Sequence, residues 1–137
     1  MIKKLRLKIL LATILFLSTA FSHVNGQTEE HLLDGTSLEF YYQNGSGISI
    51  EFQDGKLNYE WILGPPKGNM GTNIPYSSRK IGDEMYLVNF HESQKPDFVS
   101  LIFNFKQNVM YSTAILRYGT DMERISFNGG IIEHVNR

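Results

Sequence analysis

The carboxylate of Glu92 lies on the apolar face of a predicted strand. Because side chains alternate along a strand, Tyr86, Val88, Phe90 and Glu92 share one face. An unpaired buried charge is very costly, so Glu92 lies either at a solvated strand end or in a cavity. In a cavity, this carboxylate could act as an acid or base, or bind a hydroxyl or amine of a ligand. The functional prediction depends on which position Glu92 occupies.

A second carboxylate, Glu60, lies on a strand predicted over 56–63. If Glu60 and Glu92 both faced one cavity, they could share a proton, like the paired carboxylates of some hydrolases. Alternation along the strand instead places Glu60 opposite Tyr59 and Trp61, on the outer face. The sequence leaves both positions of Glu60 open.

The histidines predict no metal site. His31, His91 and His134 are scattered and lack ligand spacing, such as two histidines on one helical face. His91 is opposite in parity to Glu92, so the two cannot share a pocket on one regular strand, and a surface position is expected. We therefore predict neither a metal nor a cofactor.

Residues 1–26 have the features of a secretory signal peptide. Four Lys and Arg residues within 3–8 precede the apolar run 9–20, and small residues precede a predicted cut before Gln27. The run is shorter than the ~20 apolar residues that span a bilayer. The chain has no cysteine, which excludes disulfides and a lipidated-cysteine anchor. We therefore expect a secreted or periplasmic protein.

The charge of the predicted mature chain argues against two classes of partner. After removal of 1–26, nine Lys and Arg remain against fourteen Asp and Glu, a formal charge near −5. An acidic domain without a basic patch is poorly suited to nucleic acid or to an anionic membrane surface. The expected partner is a small molecule. The oligomeric state stays open, with a homodimer among the alternatives.

The sequence of the mature chain predicts a meander of antiparallel strands. Apolar and polar residues alternate from Leu33 onward, and turn residues recur every eight to twelve positions, as at Asn44-Gly45 and Asp54-Gly55. The count is eight or nine strands with no amphipathic helix. A sandwich and a closed barrel both fit, but short hairpin links favour an up-and-down barrel, which has no free edges. The predicted all-β barrel covers 33–137 and follows an arm over 27–32.

The predicted interior is rich in aromatic rings. Strand faces carrying Phe40 and Tyr42, Tyr59 and Trp61, or Val99 and Phe103 all point to the same side as Tyr86 and Phe90. Aromatic walls with a few polar groups describe a ligand pocket, yet a filled barrel uses the same residues as core. An eight-stranded barrel is narrow enough for either outcome.

Five short motifs occur in an order shared with a known family: Leu33-x-Gly35, Phe40-Tyr41-Tyr42-Gln43-Asn44-Gly45, Tyr59-Glu60-Trp61-x-x-Gly64-Pro65-x-x-Gly68, Tyr86-x-Val88-x-Phe90-x-Glu92 and Val99-Ser100-Leu101-x-Phe103. Over most of the mature chain, this order resembles the MoaF-like and phenolic acid decarboxylase group of calycin barrels. The stretch 59–68 is most similar to the MoaF-like branch. The resemblance implies a lipocalin-like antiparallel barrel with a central cavity.

The resemblance also bears on catalysis. In the decarboxylase branch, two tyrosines and an arginine bind the substrate carboxylate, and a glutamate acts at the phenol end. The glutamate matches Glu92 and the second tyrosine matches Tyr42, whereas the first tyrosine falls on Phe40 and the arginine on Glu60. Replacing a guanidinium by a carboxylate removes an anion partner and adds repulsion. Decarboxylation by the family's mechanism is therefore not expected.

Together, these features predict an exported barrel that binds a small, partly aromatic or apolar ligand in its cavity. The predicted ligand-binding residues are Phe40, Tyr42, Tyr59, Glu60, Trp61, Tyr86, Phe90 and Glu92. One alternative is a decarboxylase-like lyase or isomerase acting on a small phenolic compound, with Glu92 and Tyr42 as candidate catalytic residues. The other is a filled barrel that acts only through its surface.

A cation near Glu92 or Tyr42 would distinguish a binder from an enzyme. The candidates on neighbouring predicted strands are Arg79, Lys80 and Arg117.

Overall fold

Eight strands form one closed antiparallel barrel in the computed structural model, which describes residues 31–137. The strands are β1 Ser37–Tyr42, β2 Gly47–Gln53, β3 Lys56–Leu63, β4 Met70–Gly82, β5 Met85–Glu92, β6 Asp97–Asn104, β7 Val109–Leu116 and β8 Arg124–Asn136. The prediction of an all-β antiparallel barrel is confirmed. The predicted signal peptide and most of the predicted arm fall on residues 1–30, outside the described part of the chain.

Each strand pairs with the next along the chain, and β8 returns to pair with β1. The closure joins Phe40 to Ile132 and Tyr41 to Ile131. Two-residue hairpin turns of this kind need positive φ at both central residues, and Asp54 (φ 52°) and Gly55 (φ 72°) supply it between β2 and β3. Turn residues that were visible in the sequence therefore set the up-and-down order of the barrel.

The fourth strand is longer than its pattern suggested. A strand is expected over 74–81, but β4 begins at Met70. The register between β3 and β4 shifts near Leu57 and Tyr59, and Asn73 has a φ of 55°. This irregularity breaks the alternation of apolar and polar residues, so the first four residues of β4 do not look like a strand in the sequence.

One end of the barrel, which we call the closed end, is packed solid. It comprises the segment 31–36 and the turns 54–55, 83–84 and 105–108. The side chains that fill it are almost fully buried: Leu33, Leu38, Phe52, Leu57, Phe103 and Met110. Asp34 accepts hydrogen bonds from the Gly55 amide and from the Tyr76 hydroxyl (2.8 Å), fixing the segment against β2–β3 and β4.

The opposite end, which we call the open end, carries the turns 43–46, 64–69, 93–96 and 117–123. The strand ends there enclose space instead of side chains. The barrel thus has a filled half and a hollow half, so both outcomes left open by the sequence occur in one molecule. Among residues 31–137, no helix is long and apolar enough to cross a membrane.

Candidate functional site

The hollow half forms a cavity of about 1320 Å³ that opens at the turns of the open end. Known small-molecule sites are concave, largely apolar and hold a few convergent polar groups. Here the floor is apolar, formed by the side chains of Phe40, Ile50 and Leu101, which point inward from three strands. The wall above this floor is aromatic on one side and polar on the other.

The aromatic side is built by β1, β3 and β5. The ring centroids of Tyr42 and Trp61 are 6.0 Å apart, and those of Tyr59 and Phe90 are 6.5 Å apart. Phe40 meets Tyr42 edge to face at 5.3 Å. These separations lie within the range in which aromatic pairs attract. The rings hold each other in place and line the cavity.

A cluster of three polar side chains lies where this aromatic wall meets the rim. The Tyr59 hydroxyl donates a hydrogen bond to Glu92 Oε2 at 2.7 Å. Lys95 Nζ lies 2.8 Å from Glu92 Oε1 and 3.0 Å from the Tyr59 oxygen. The Glu92 side chain is only 12% exposed. We call Tyr59, Glu92 and Lys95 the rim cluster.

Burial and mutual contact set the protonation of the rim cluster. Burial, and then the hydrogen bond to Glu92, raise the pKa of Tyr59 to about 12, although Lys95 acts in the opposite direction. Partial burial alone would lower the pKa of Lys95, but its hydrogen bonds to Glu92 and Tyr59 outweigh that and raise it. At neutral pH the phenol is therefore protonated and the amine is charged.

The polar side of the wall is built by β7 and β8. Ser112 forms a hydrogen bond with the Tyr42 phenol, whose pKa is raised because burial outweighs this bond. Asn128 donates a hydrogen bond to Ser126 at 2.7 Å, and both residues line the cavity. Hydroxyl and amide groups can both donate and accept hydrogen bonds. A ligand in the cavity would meet rings on one side and these groups on the other.

Six of the eight predicted binding residues line the cavity: Phe40, Tyr42, Tyr59, Trp61, Phe90 and Glu92. Glu60 does not, because strand alternation turns its exposed side chain outward. Tyr86 points into the barrel but lies at the other end of β5 from Glu92, where it packs against Phe105. Tyr86 and Glu92 are six positions apart along the strand, a distance of roughly 20 Å.

The cation at Glu92 is Lys95, which the sequence analysis did not consider. Arg79 and Lys80 are exposed on β4 and do not line the cavity, whereas Arg117 lies at its mouth. Lys95 returns to Glu92 through a turn closed by a 3.1 Å backbone hydrogen bond between these two residues. The spacing of three residues across a turn was the signal available in the sequence.

Other polar and aromatic side chains lie at or near the mouth of the cavity. Besides Glu92, two more acidic residues, Asp97 and Asp121, line the cavity. The Asp97 carboxylate accepts a 2.7 Å hydrogen bond from the Arg117 amide. His91 is exposed on the outer surface, where its ring stacks on Phe98 at 4.2 Å. Within residues 31–137, no group of three acidic or histidine side chains could hold a metal ion.

Comparison with known proteins agrees with this architecture. One solved structure is similar to this chain, with a TM-score of 0.64 and 17% sequence identity. The matched region covers 74% of this chain and 93% of that chain, and the structure is described as "Crystal Structure of a putative beta-lactamase from Burkholderia vietnamiensis". At that identity, the likeness concerns the fold alone. Comparison with curated proteins finds no significant match.

The family, in contrast, is shown by sequence. The family model described as the MoaF N-terminal domain matches residues 14–115, well over half of the 137-residue chain. This match agrees with the motif order and with the closed eight-stranded barrel. The chain therefore belongs to the MoaF family.

Proposed function

We propose that this protein is an exported barrel that binds a small, partly aromatic or apolar ligand in its open-end cavity. The observation that carries the proposal is the combination of a hollow half-barrel of about 1320 Å³ with the rim cluster at its edge. A barrel that needed only stability would gain by filling this space, because apolar voids are destabilising. The closed end is already filled in this way.

The chemistry of the cavity favours a ligand with a flat apolar body and a neutral or cationic polar head. The body would lie between Trp61 and Phe90, and a hydroxyl or amine would reach Glu92. Lys95 and Tyr59 each already bind one oxygen of Glu92, and each oxygen can accept a further hydrogen bond. A carboxylate ligand would have to compete with Glu92 for Lys95, which costs a charged hydrogen bond of about 1.5–3 kcal/mol. Hydroxyl-bearing and amine-bearing ligands are therefore preferred.

Export rests on the predicted signal peptide at 1–26, and the absence of cysteine argues against a lipidated-cysteine anchor. The acidic mature chain would then meet its ligand outside the cytoplasm, with no nucleic-acid or membrane partner. Expression of the full chain in a bacterium and mass measurement of the product test this part. A product that begins at Gln27 supports export with cleavage, and an uncleaved cytoplasmic product contradicts it.

The binding experiment uses the single tryptophan as its reporter, because Trp61 lines the cavity. Phenols, aromatic amines and the corresponding carboxylic acids are titrated while Trp61 fluorescence is followed. We expect saturable binding of phenols or amines, weaker binding of the acids, and loss of amine binding in Glu92→Gln. Tyr111→Phe on the outer surface is the control and should bind like the wild type. Failure of every compound to change the fluorescence or to bind by calorimetry would contradict the proposal.

A second candidate is a decarboxylase-like lyase or isomerase that uses Glu92 and Tyr42. The contact that favours it is the Lys95 ammonium 2.8 Å from Glu92, since a cation beside the candidate acid–base residue could stabilise charge that develops during a reaction. The same titration samples test it through released carbon dioxide and product absorbance. Turnover that disappears in Glu92→Gln while binding is retained would support the enzyme. Binding without turnover of any phenolic acid would exclude that reaction.

A further inference from the structure

The outer surface of β6, β7 and β8 carries a continuous group of exposed apolar side chains. Ile125 and Phe127 are each 77% exposed, and the other members of the group are between 37% and 52% exposed. We call this group the apolar face; its residues are Phe98, Tyr111, Ile115, Ile125, Phe127 and Ile131. Scattered apolar residues are normal on protein surfaces, but a contiguous patch of this size marks an interaction site.

Strand register shows that the apolar face is contiguous. Phe98 pairs with Ile115, and Ile115 pairs with Ile125, which forms an apolar row across three strands. On the same side of the sheet, Thr113 pairs with Phe127 and Val109 with Ile131. Paired residues on one face have Cβ atoms about 5 Å apart. No charged side chain interrupts the outward positions of β7 or those of β8 between 125 and 131.

The opposite wall of the barrel differs in character. The outward positions of β2, β3 and β4 include the charged residues Glu51, Lys56, Glu60 and Arg79. The apolar face is therefore a local feature and not a general property of this surface. Because the barrel is closed, it offers no free strand edge for another chain to extend. Whatever covers the apolar face must pack on it face to face, as in sheet-on-sheet packing.

We propose that the apolar face is the contact surface of a symmetric homodimer. Taking ~150–250 Å² for a whole aromatic side chain, the exposed parts of the six residues amount to roughly 600 Å². A standard interface buries ~800 Å² per partner, so this group supplies most of one side. The composition fits as well, since interface centres are poor in charge and rich in Phe and Tyr.

Two properties make a second copy the occupant. Two chains that each carry a formal charge near −5 repel, which favours association through a surface without charged side chains. A two-fold interface must also be complementary to itself. On the apolar face, the highly exposed ring of Phe127 lies beside the small side chain of its register partner, Thr113. A large exposed ring next to a small side chain allows two identical faces to pack against each other.

The test is the molar mass of the protein lacking 1–26, measured by sedimentation or light scattering over a concentration series. The wild type should be dimeric, and Phe127→Glu should weaken association by about 100-fold or more, as expected for an aromatic residue central to an interface. Thr72→Glu adds the same charge on β4, away from the apolar face, and should leave the dimer intact. Circular dichroism checks that each variant is folded, and Ile131→Asn, at a position that does not line the cavity, replaces Phe127→Glu if the latter does not fold.

Three results would overturn the proposal. One is a monomeric wild type at high micromolar concentration, and another is an unchanged dimer in both folded face variants. The third is a monomer that binds neutral lipid vesicles through Phe127, which would assign the face to a membrane surface instead. These results are separate from ligand binding for Phe127, which does not line the cavity, whereas Ile125 lies where the apolar face meets the mouth.

Discussion

The Tyr59 hydroxyl donates a 2.7 Å hydrogen bond to Glu92, joining two residues that are 33 positions apart in sequence. Tyr59 is on β3 and Glu92 ends β5, so the bond bridges two strands that are separated by β4 in the sheet. Lys95 closes the triangle from the turn after β5. The rim cluster thus couples the wall of the cavity to its mouth, and it is the part of the molecule on which most predictions depend.

Removal of the Tyr59 hydroxyl should destabilise the folded protein and remove hydrogen bonds from the rim cluster. Tyr59→Phe leaves Glu92 with one partner fewer, so we expect a loss of about 1 kcal/mol in the free energy of unfolding, measured by urea titration. Tyr41→Phe is the matched control, because Tyr41 makes an equally short hydrogen bond to Glu39 on the outer surface. We expect no measurable change from the control. Equal effects of the two variants would show that the rim position has no special role.

Stability should fall at alkaline pH because of the same tyrosine. The pKa of Tyr59 is about 12 in the folded protein and 10 in the unfolded chain, so the unfolded chain loses its proton first. The stabilisation is complete below pH 10 and is lost as the pH rises towards 12. A shift of this size corresponds to ~2.7 kcal/mol, which solvent screening of the partly exposed ring reduces to roughly 1–2 kcal/mol.

Urea unfolding at pH 8 and at pH 11.5 measures this effect. Tyr59→Phe should lose less stability between the two values than the wild type. Tyr118→Phe, whose ring is mostly exposed, should follow the wild type. The raised pKa of Tyr76, caused by burial and by Asp34, contributes equally in all three proteins and cancels in the comparison. Parallel curves for Tyr59→Phe and the wild type would argue against a protonated, hydrogen-bonded phenol.

A methyl group at position 71 should displace the Tyr59 ring. Gly71 lies directly beneath this ring, and a Cβ at Gly71 would overlap with Tyr59 and Ile74. Gly71→Ala should therefore destabilise the protein by about 1–3 kcal/mol and disturb ligand binding. Gly129→Ala is the control, because a Cβ there would meet its neighbours at 3.5 Å or more, which is ordinary contact. A near-neutral Gly71→Ala would mean that the ring is not held where we describe it.

The closed end should affect stability without affecting binding. Asp34→Ala removes the acceptor of the Gly55 amide and of the Tyr76 hydroxyl. A loss of about 1.5–3 kcal/mol in the free energy of unfolding is expected, because hydrogen bonds to a charged group are lost. Trp61 fluorescence titrations at a temperature where the variant is folded should give the wild-type affinity. A large loss of affinity would indicate that the two halves of the barrel are coupled.

Much of the fold could be predicted because local signals agreed with each other. Period-two alternation placed the strands, and positive-φ turn residues such as Asp54-Gly55 fixed the hairpins. The inward set of β1, with Phe40 and Tyr42, also followed from alternation alone. Where a bulge shifts the register, as between β3 and β4, alternation fails and the start of β4 was missed.

The site was less predictable because a sequence pattern does not show at which end of the barrel an inward side chain lies. Alternation shows that Tyr86 points inward, but not that it lies in the filled half with Phe105. It places Glu60 outward, where the structure has it, whereas the family resemblance matches Glu60 to an arginine of the site and so predicts an inward position. Lys95 lies in a turn, where no periodicity applies, so its three-residue spacing from Glu92 was too weak a signal to predict the ion pair.

We propose above that the hollow half of the barrel is a binding site, and a cavity-filling variant tests this proposal most directly. Ala114 faces the cavity from β7, and Ala114→Trp would occupy the space in which a ligand would lie. Calorimetric titration with a phenol or amine that binds the wild type should show one site per chain, and that binding should be absent from folded Ala114→Trp. Thr113→Trp, on the outer side of the same strand, should bind normally. Binding to Ala114→Trp with wild-type affinity would contradict the account.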